Sequence, residues 1–121
     1  MKKSQIAVII FFLFLVILPA QAQSSDRYNH TGNLSMLRVH DLGIAYGSGN
    51  NRLDVEVITK FINKNGYSFG FKMRDNNRLP ARQGMLSLLR DAFNNGWRTK
   101  ITYDIRNGSK NGTIVQVTIL K

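Results

Sequence analysis

One segment of this 121-residue chain has helical spacing, and almost everywhere else its apolar residues alternate with period two. Over residues 81–95, Met85, Leu88, Leu89 and Ala92, with Leu86 and Phe93, form an apolar stripe. Arg82, Ser87, Arg90, Asp91 and Asn94 fall on the other side of the same helix. Pro80 suits its first turn, where the missing N–H would have had no intrahelical partner. Gly96 suits its end. A lone helix with such a stripe has to bury it against a sheet.

The alternating segments supply that sheet. Residues 35–45 set Leu37, Val39 and Asp41 against Met36, Arg38, His40 and Leu42 and read as a first strand, followed by the turn-rich loop 46–51. In 52–62, Leu53, Val55 and Val57 share one face and Asp54 and Glu56 the other, the pattern of a half-buried strand. Residues 63–66 (NKNG) suit a hairpin turn, because Asn and Gly tolerate positive φ. The returning strand 67–74 aligns Tyr67, Phe69, Phe71 and Met73, and 75–80 is a loop. Beyond the helix Ile101, Tyr103 and Ile105 alternate, and past the turn 107–112 so do Val115, Val117 and Ile119. The order is three strands, one helix, two strands. The fold class it predicts is mainly β with one helix: a small five-stranded Greek-key barrel of the oligonucleotide- and oligosaccharide-binding (OB) type. An open sheet with the helix across one face is the alternative.

The first 22 residues stand apart. Lys2 and Lys3 precede an unbroken apolar run over 6–18, and Pro19 then introduces Ala20-Gln21-Ala22, the small residues at alternate positions that signal peptidase requires. The run is shorter than the roughly 20 residues that cross a bilayer. Residues 1–22 are therefore expected to be a cleaved signal peptide, 23–34 a polar, irregular N-terminal arm, and 35–121 a single domain. Secretion or transfer to the periplasm follows, and an integral membrane protein does not.

Removing that segment leaves fifteen basic and seven acidic residues, a charge of +8. Such a surface favours anionic partners. There is no cysteine, which excludes cysteine nucleophiles and thiolate metal sites and leaves packing or oligomerisation to stabilise a small exported domain. The Asn-x-Ser/Thr tripeptides at Asn29, Asn33, Asn107 and Asn111 read as turn chemistry.

Catalytic chemistry has little to work with. His30 and His40 sit in no catalytic or metal-ligand spacing, and Asp54 and Glu56 are as well explained by a solvated strand face as by an acid/base pair. Gly47-Ser48-Gly49 lacks the strand, helix and lysine context of a phosphate loop. The expectation is a binding protein, not an enzyme, with no metal and no cofactor. Basic residues such as Lys64, Lys72 and Arg98 alternate with Phe61, Tyr67 and Trp97, a mixture able to stack sugars or bases, but no nucleic-acid motif is present and export argues against nucleic acid.

The segment 35–39, the hairpin strands, and above all 84–105 (GMLSLLRDAFNNGWRTKITYDI) resemble the pentameric B subunits of secreted AB-type toxins, in particular the subtilase-cytotoxin, typhoid-toxin and pertussis-toxin-like group. The resemblance implies an exported OB-type barrel that assembles into a homopentamer, binds cell-surface glycans, and can deliver a toxin A subunit. It places the glycan site at the end of the N-terminal arm, on Tyr28, His30 and Thr31, flanked by Lys60 and Asn63. His30 stands where those relatives carry a serine, and the disulfide that links their second and third strands is absent, leaving packing around Val55 and Phe71 to replace it. In such a ring Arg82 and Arg90 would line a basic central pore. The alternative is a monomeric basic periplasmic barrel that binds an anionic envelope component or a protein partner.

Overall fold

A computed structural model describes residues 24–74 and 76–121. The expected signal peptide lies outside them. The described residues form one mixed sheet of six strands with one α-helix: β1 (Ser25–Gly32), β2 (Leu34–Val39), β3 (Val57–Phe61), β4 (Ser68–Phe71), α1 (Leu79–Asn95), β5 (Arg98–Arg106) and β6 (Asn111–Leu120). The strand order is β1-β5-β6-β4-β3-β2, antiparallel except for the parallel pair β4 and β6. Mainly β with one helix between the hairpin and the last two strands is thus the observed class. The five-stranded closed barrel is not: the described residues give six strands, and the ladder is open, with β1 and β2 as its edges.

The sixth strand is the segment expected to be an irregular arm. Its backbone pairs with β5 from Ser25↔Arg106 to Gly32↔Thr99, so ladder hydrogen bonds hold it where apolar burial does not. Only Asn33 separates it from β2, at the opposite edge. That junction is pinned: Asn33 Nδ2 donates to the Gly96 carbonyl at 2.9 Å, and Ile62 N–H donates to the Asn33 carbonyl at 2.9 Å.

Helix α1 follows its sequence signals closely. Pro80 occupies its first turn, and Gly96 ends it in the left-handed conformation (φ 66°, ψ 27°), its N–H bonded to the Ala92 carbonyl. Leu89 and Ala92 are fully buried in the main core with Phe61, Phe69, Phe71, Ile101 and Tyr103. Met85 and Leu86 pack at its margin, whereas Leu88 and Phe93, assigned to the same stripe, are exposed.

Several strand assignments shift. The first predicted strand stops at Val39 instead of reaching residue 45, and the segment 52–62 is straight only over β3. A bend at Glu56 sends Val57 into the main core while Leu53 and Val55 join Ile58 in a second cluster. Val55 and Phe71 are therefore both buried, but in different clusters. In β6 the pairing jumps from Thr102↔Gln116 to Tyr103↔Ile114, leaving Val115 as the extra residue of a bulge. Val115 is exposed and Ile114 takes the buried place, so the alternation of Val115 with Val117 breaks.

Candidate functional site

A cleft of about 280 Å³ with aromatic walls is formed where β1, the β3–β4 hairpin and the end of β5 meet. Tyr28 from β1, Tyr67 from the hairpin and Tyr103 from β5 line it, with Lys64, Asp26 and Arg106 at its margin. The register Tyr28↔Tyr103 puts the first and third on one face, ring centroids 6.1 Å apart. Tyr103 is buried and tilted against Phe69 at 4.5 Å, and Tyr67 stacks over Phe69 at 6.5 Å and 14°. Phe69 is thus the fixed base on which two of the three tyrosines rest. Tyr28 is 50 % exposed and forms the open wall.

Polar groups complete the rim. The Lys64 ammonium stands 4.6 Å from the Tyr67 ring centroid, a cation–π contact that holds the ring. Burial, and then the neighbouring Tyr67 and Tyr28, push the Tyr103 phenol above its ordinary value, so it keeps its proton at neutral pH. The Arg106 guanidinium is fixed from behind, its Nη2 donating to the carbonyls of Asn50 and Arg52 at 3.0 Å each. Flat aromatic walls with a few polar groups at the edge fit a small amphipathic ring.

The residues expected from sequence divide among three places. Tyr28 lies in the cleft. His30, Thr31 and Asn63 come together beside it: Asn63 Oδ1 is 2.9 Å from His30 Nε2, and Asn63 Nδ2 donates to the Thr31 carbonyl at 3.0 Å. The His30 ring meets Phe61 edge-on at 4.7 Å, a packing role. Thr31 and Asn63 also border a shallower hollow of about 300 Å³ with Ile62 and Arg98. Lys60 is elsewhere, beside the Tyr46 hydroxyl. Sequence reasoning noted Lys64 and Tyr67 only within a general mixture of basic and aromatic residues, and placed neither them nor Tyr103 and Arg106 in the site. The i, i+2 spacing of Tyr67 with Phe69 and of Tyr103 with Ile101 marked only an inward face.

Asp54 and Glu56 do not form a solvated pair. Glu56 is 2 % exposed and accepts from Met73 N–H at 3.1 Å and from Arg74 Nε and Nη2 at 3.1 and 2.9 Å. Arg74 also bridges to Asp54. Burial works to raise the Glu56 pKa, but the Arg74 hydrogen bonds and the Met73 N–H outweigh it and hold the carboxyl below its ordinary value. The Arg74 hydrogen bond lowers Asp54 as well, against a smaller opposing effect of desolvation. Both carboxylates are ionised and engaged, an arrangement that pins the start of β3 to the segment after β4. Among the described residues no group of three or more His, Cys, Asp or Glu is placed to hold a metal ion. No helix among them is long and apolar enough to cross a membrane. No protein-family model, curated protein or solved structure matches the chain.

Proposed function

We propose that this chain is an exported glycan-binding subunit and that the three-tyrosine cleft is its sugar site. The observation that carries the reading is the convergence of Tyr28, Tyr67 and Tyr103 on a cavity of about 280 Å³, a volume suited to one or two sugar rings. Tyrosine faces pack against the C–H faces of a pyranose, while Asp26, Lys64, Arg106 and the phenol of Tyr103 offer hydrogen bonds to its hydroxyls. One site of this kind binds weakly, since hydrogen bonds to a well-hydrated sugar give little net free energy. Several sites on one assembly make such binding useful.

The connectivity supports the OB-type reading. With β1 and β2 taken as two halves of one strand bent at Gly32-Asn33, the order becomes that of a partly open five-stranded Greek-key barrel with its third and fifth strands parallel. Exposed Leu88 and Phe93 on α1, with Val115 and Leu120 on β6, give apolar surface for contacts between copies, as a toxin-B-like ring with a possible A-subunit partner requires. The test is a glycan array with parent, Tyr28→Ala, Tyr67→Ala and Lys60→Ala proteins, each checked by light scattering. The two tyrosine variants lose retention with the assembly unchanged, and Lys60→Ala keeps it. Retention by both tyrosine variants, on an array the parent binds, overturns the cleft; a monomeric parent overturns the ring.

A further inference from the structure

We infer that the two turns bordering the cleft are sites of spontaneous covalent modification, where Asn65 and Asn107 convert to aspartate and isoaspartate through attack by the glycine that follows each. The chain has four Asn-Gly pairs, at 65–66, 95–96, 107–108 and 111–112. A following glycine favours this reaction, because no Cβ hinders its nitrogen from reaching the asparagine side-chain carbon. The glycine nitrogen bonds to Cγ, the Cγ–Nδ2 bond breaks, and ammonia leaves carrying the proton of the glycine N–H. Water then opens the cyclic imide at one of its two carbonyls, giving aspartate or isoaspartate, and nothing is oxidised or reduced. The fold treats the four pairs differently. Residues 64–67 and 106–109 are matching turns: Tyr67 N–H donates to the Lys64 carbonyl at 3.3 Å, Ser109 N–H donates to the Arg106 carbonyl at 3.0 Å, and Gly66 and Gly108 take φ of 82° and 79°. Asn65, Gly66, Asn107 and Gly108 are all exposed. Among the described residues no hydrogen bond holds either asparagine amide or either glycine N–H, so the reacting groups can meet.

The other two pairs are protected. The Asn95 amide donates to the Asp91 carbonyl at 2.8 Å and Gly96 N–H is bonded to the Ala92 carbonyl, so α1 occupies both partners. Asn111 and Gly112 are buried in β6, and the Asn111 amide donates to the Asn51 carbonyl at 2.6 Å. Reaction at either pair requires local opening first. Both reactive turns lie on the cleft, which Lys64, Tyr67, Arg106 and Asn107 help to line. Each conversion therefore sets a carboxylate, ionised at neutral pH, next in sequence to Lys64 or Arg106, and the protein becomes less basic as it ages. This chemistry stands whether or not the cleft holds a sugar. The experiment incubates the purified protein at mildly alkaline pH, folded and in concentrated urea. Fragmentation mass spectrometry follows each pair as a gain of about 1 Da, and cation-exchange chromatography follows the charge of the whole chain. In the folded protein Asn65 and Asn107 should each react about tenfold or more faster than Asn95 and Asn111, and in urea the four rates should fall within about threefold of one another. Earlier-eluting forms should accumulate in the parent and not in Asn65→Gln/Asn107→Gln, whose longer side chains would have to close a larger, slower-forming ring. A smaller ratio at either Asn65 or Asn107 in the folded protein, a tenfold ratio that persists in urea, or a double variant that acidifies at the parent's rate overturns the proposal.

Discussion

The three atoms nearest to a methyl group added at Gly32 all belong to one side chain. Its Cβ would lie 2.1 Å from Asn63 Oδ1, 2.8 Å from Cγ and 2.9 Å from Nδ2, all from the flexible end of Asn63. The Gly32→Ala variant therefore leaves the backbone of β1 in place and expels the Asn63 amide. Two hydrogen bonds go with it, to His30 Nε2 and to the Thr31 carbonyl. Each is worth about 0.5–1.5 kcal/mol net, and both lie at the surface, where water replaces them, so the loss is about 1–2 kcal/mol. Replacing Gly by Ala restricts the unfolded chain and returns about 0.4–1 kcal/mol. The net cost is about 1 kcal/mol, or a fall of about 0.5–1 M in the urea midpoint for a small domain. Asn63→Ala removes the same two bonds by a different route. In the double variant the methyl has nothing left to displace, so Gly32→Ala/Asn63→Ala should be no less stable than Asn63→Ala alone. Additive costs in the urea titrations would show that Gly32 is constrained by something other than Asn63, and would refute the reasoning.

Leu89 is fully buried and Leu88, the preceding position of the same helix, is 39 % exposed. Leu89→Ala should cost about 2–5 kcal/mol in denaturant titration, and Leu88→Ala less than about 1 kcal/mol at concentrations where the chain is dissociated. A cost of Leu88→Ala that grows with protein concentration would mark that face as a subunit contact. Glu56 is held below its ordinary carboxyl value of 4.5, so its contribution to stability is complete above that pH and is lost as pH falls through the lower, folded value. Glu56→Gln should accordingly be less stable than the parent at pH 7 and converge with it as the solution is acidified below about pH 4, read as urea midpoints; a gap that stays constant from pH 7 to pH 3 would place the stabilising charge elsewhere.

What could be read from the sequence was whatever neighbouring residues decide among themselves. Leu89 and Ala92 repeat at helical spacing, and Pro80 and Gly96 act within one turn of the ends they define, so α1 is visible in 17 consecutive residues. The hairpin between β3 and β4 is visible for the same reason, with Gly66 taking the positive φ its turn needs. Strand β1 is held by a partner 67 to 81 residues away in β5, and its outward side chains are polar, so no local pattern announces it. The bulge at Val115 depends on how β6 meets Thr102 and Tyr103, and Glu56 is buried because Arg74, eighteen residues on, reaches it. The alternation in which Asp54 and Glu56 looked alike had no means of showing that Arg74 bridges both, or that only Glu56 is buried with a backbone N–H aimed at it.

The candidate site shows the same division more sharply, because its position follows from a single crossing. The chain passes from one edge of the sheet to the other through Asn33 alone, and that passage is fixed at three points: by the carbonyl of Gly96 at the end of α1, by the N–H of Ile62 at the start of the hairpin turn, and by the close fit of Asn63 against Gly32. Pinning the crossing sets the register of β1, and the register sets Tyr28 opposite Tyr103. The same hairpin that supplies Ile62 and Asn63 to the crossing supplies Lys64 and Tyr67 to the cleft a few residues later. Three tyrosines from distant parts of the chain therefore converge because the strand edges are tied together beside them. Tyr28 was singled out from sequence through a family resemblance, whereas Tyr67 and Tyr103 are brought to it by the tie, which no spacing along the chain encodes.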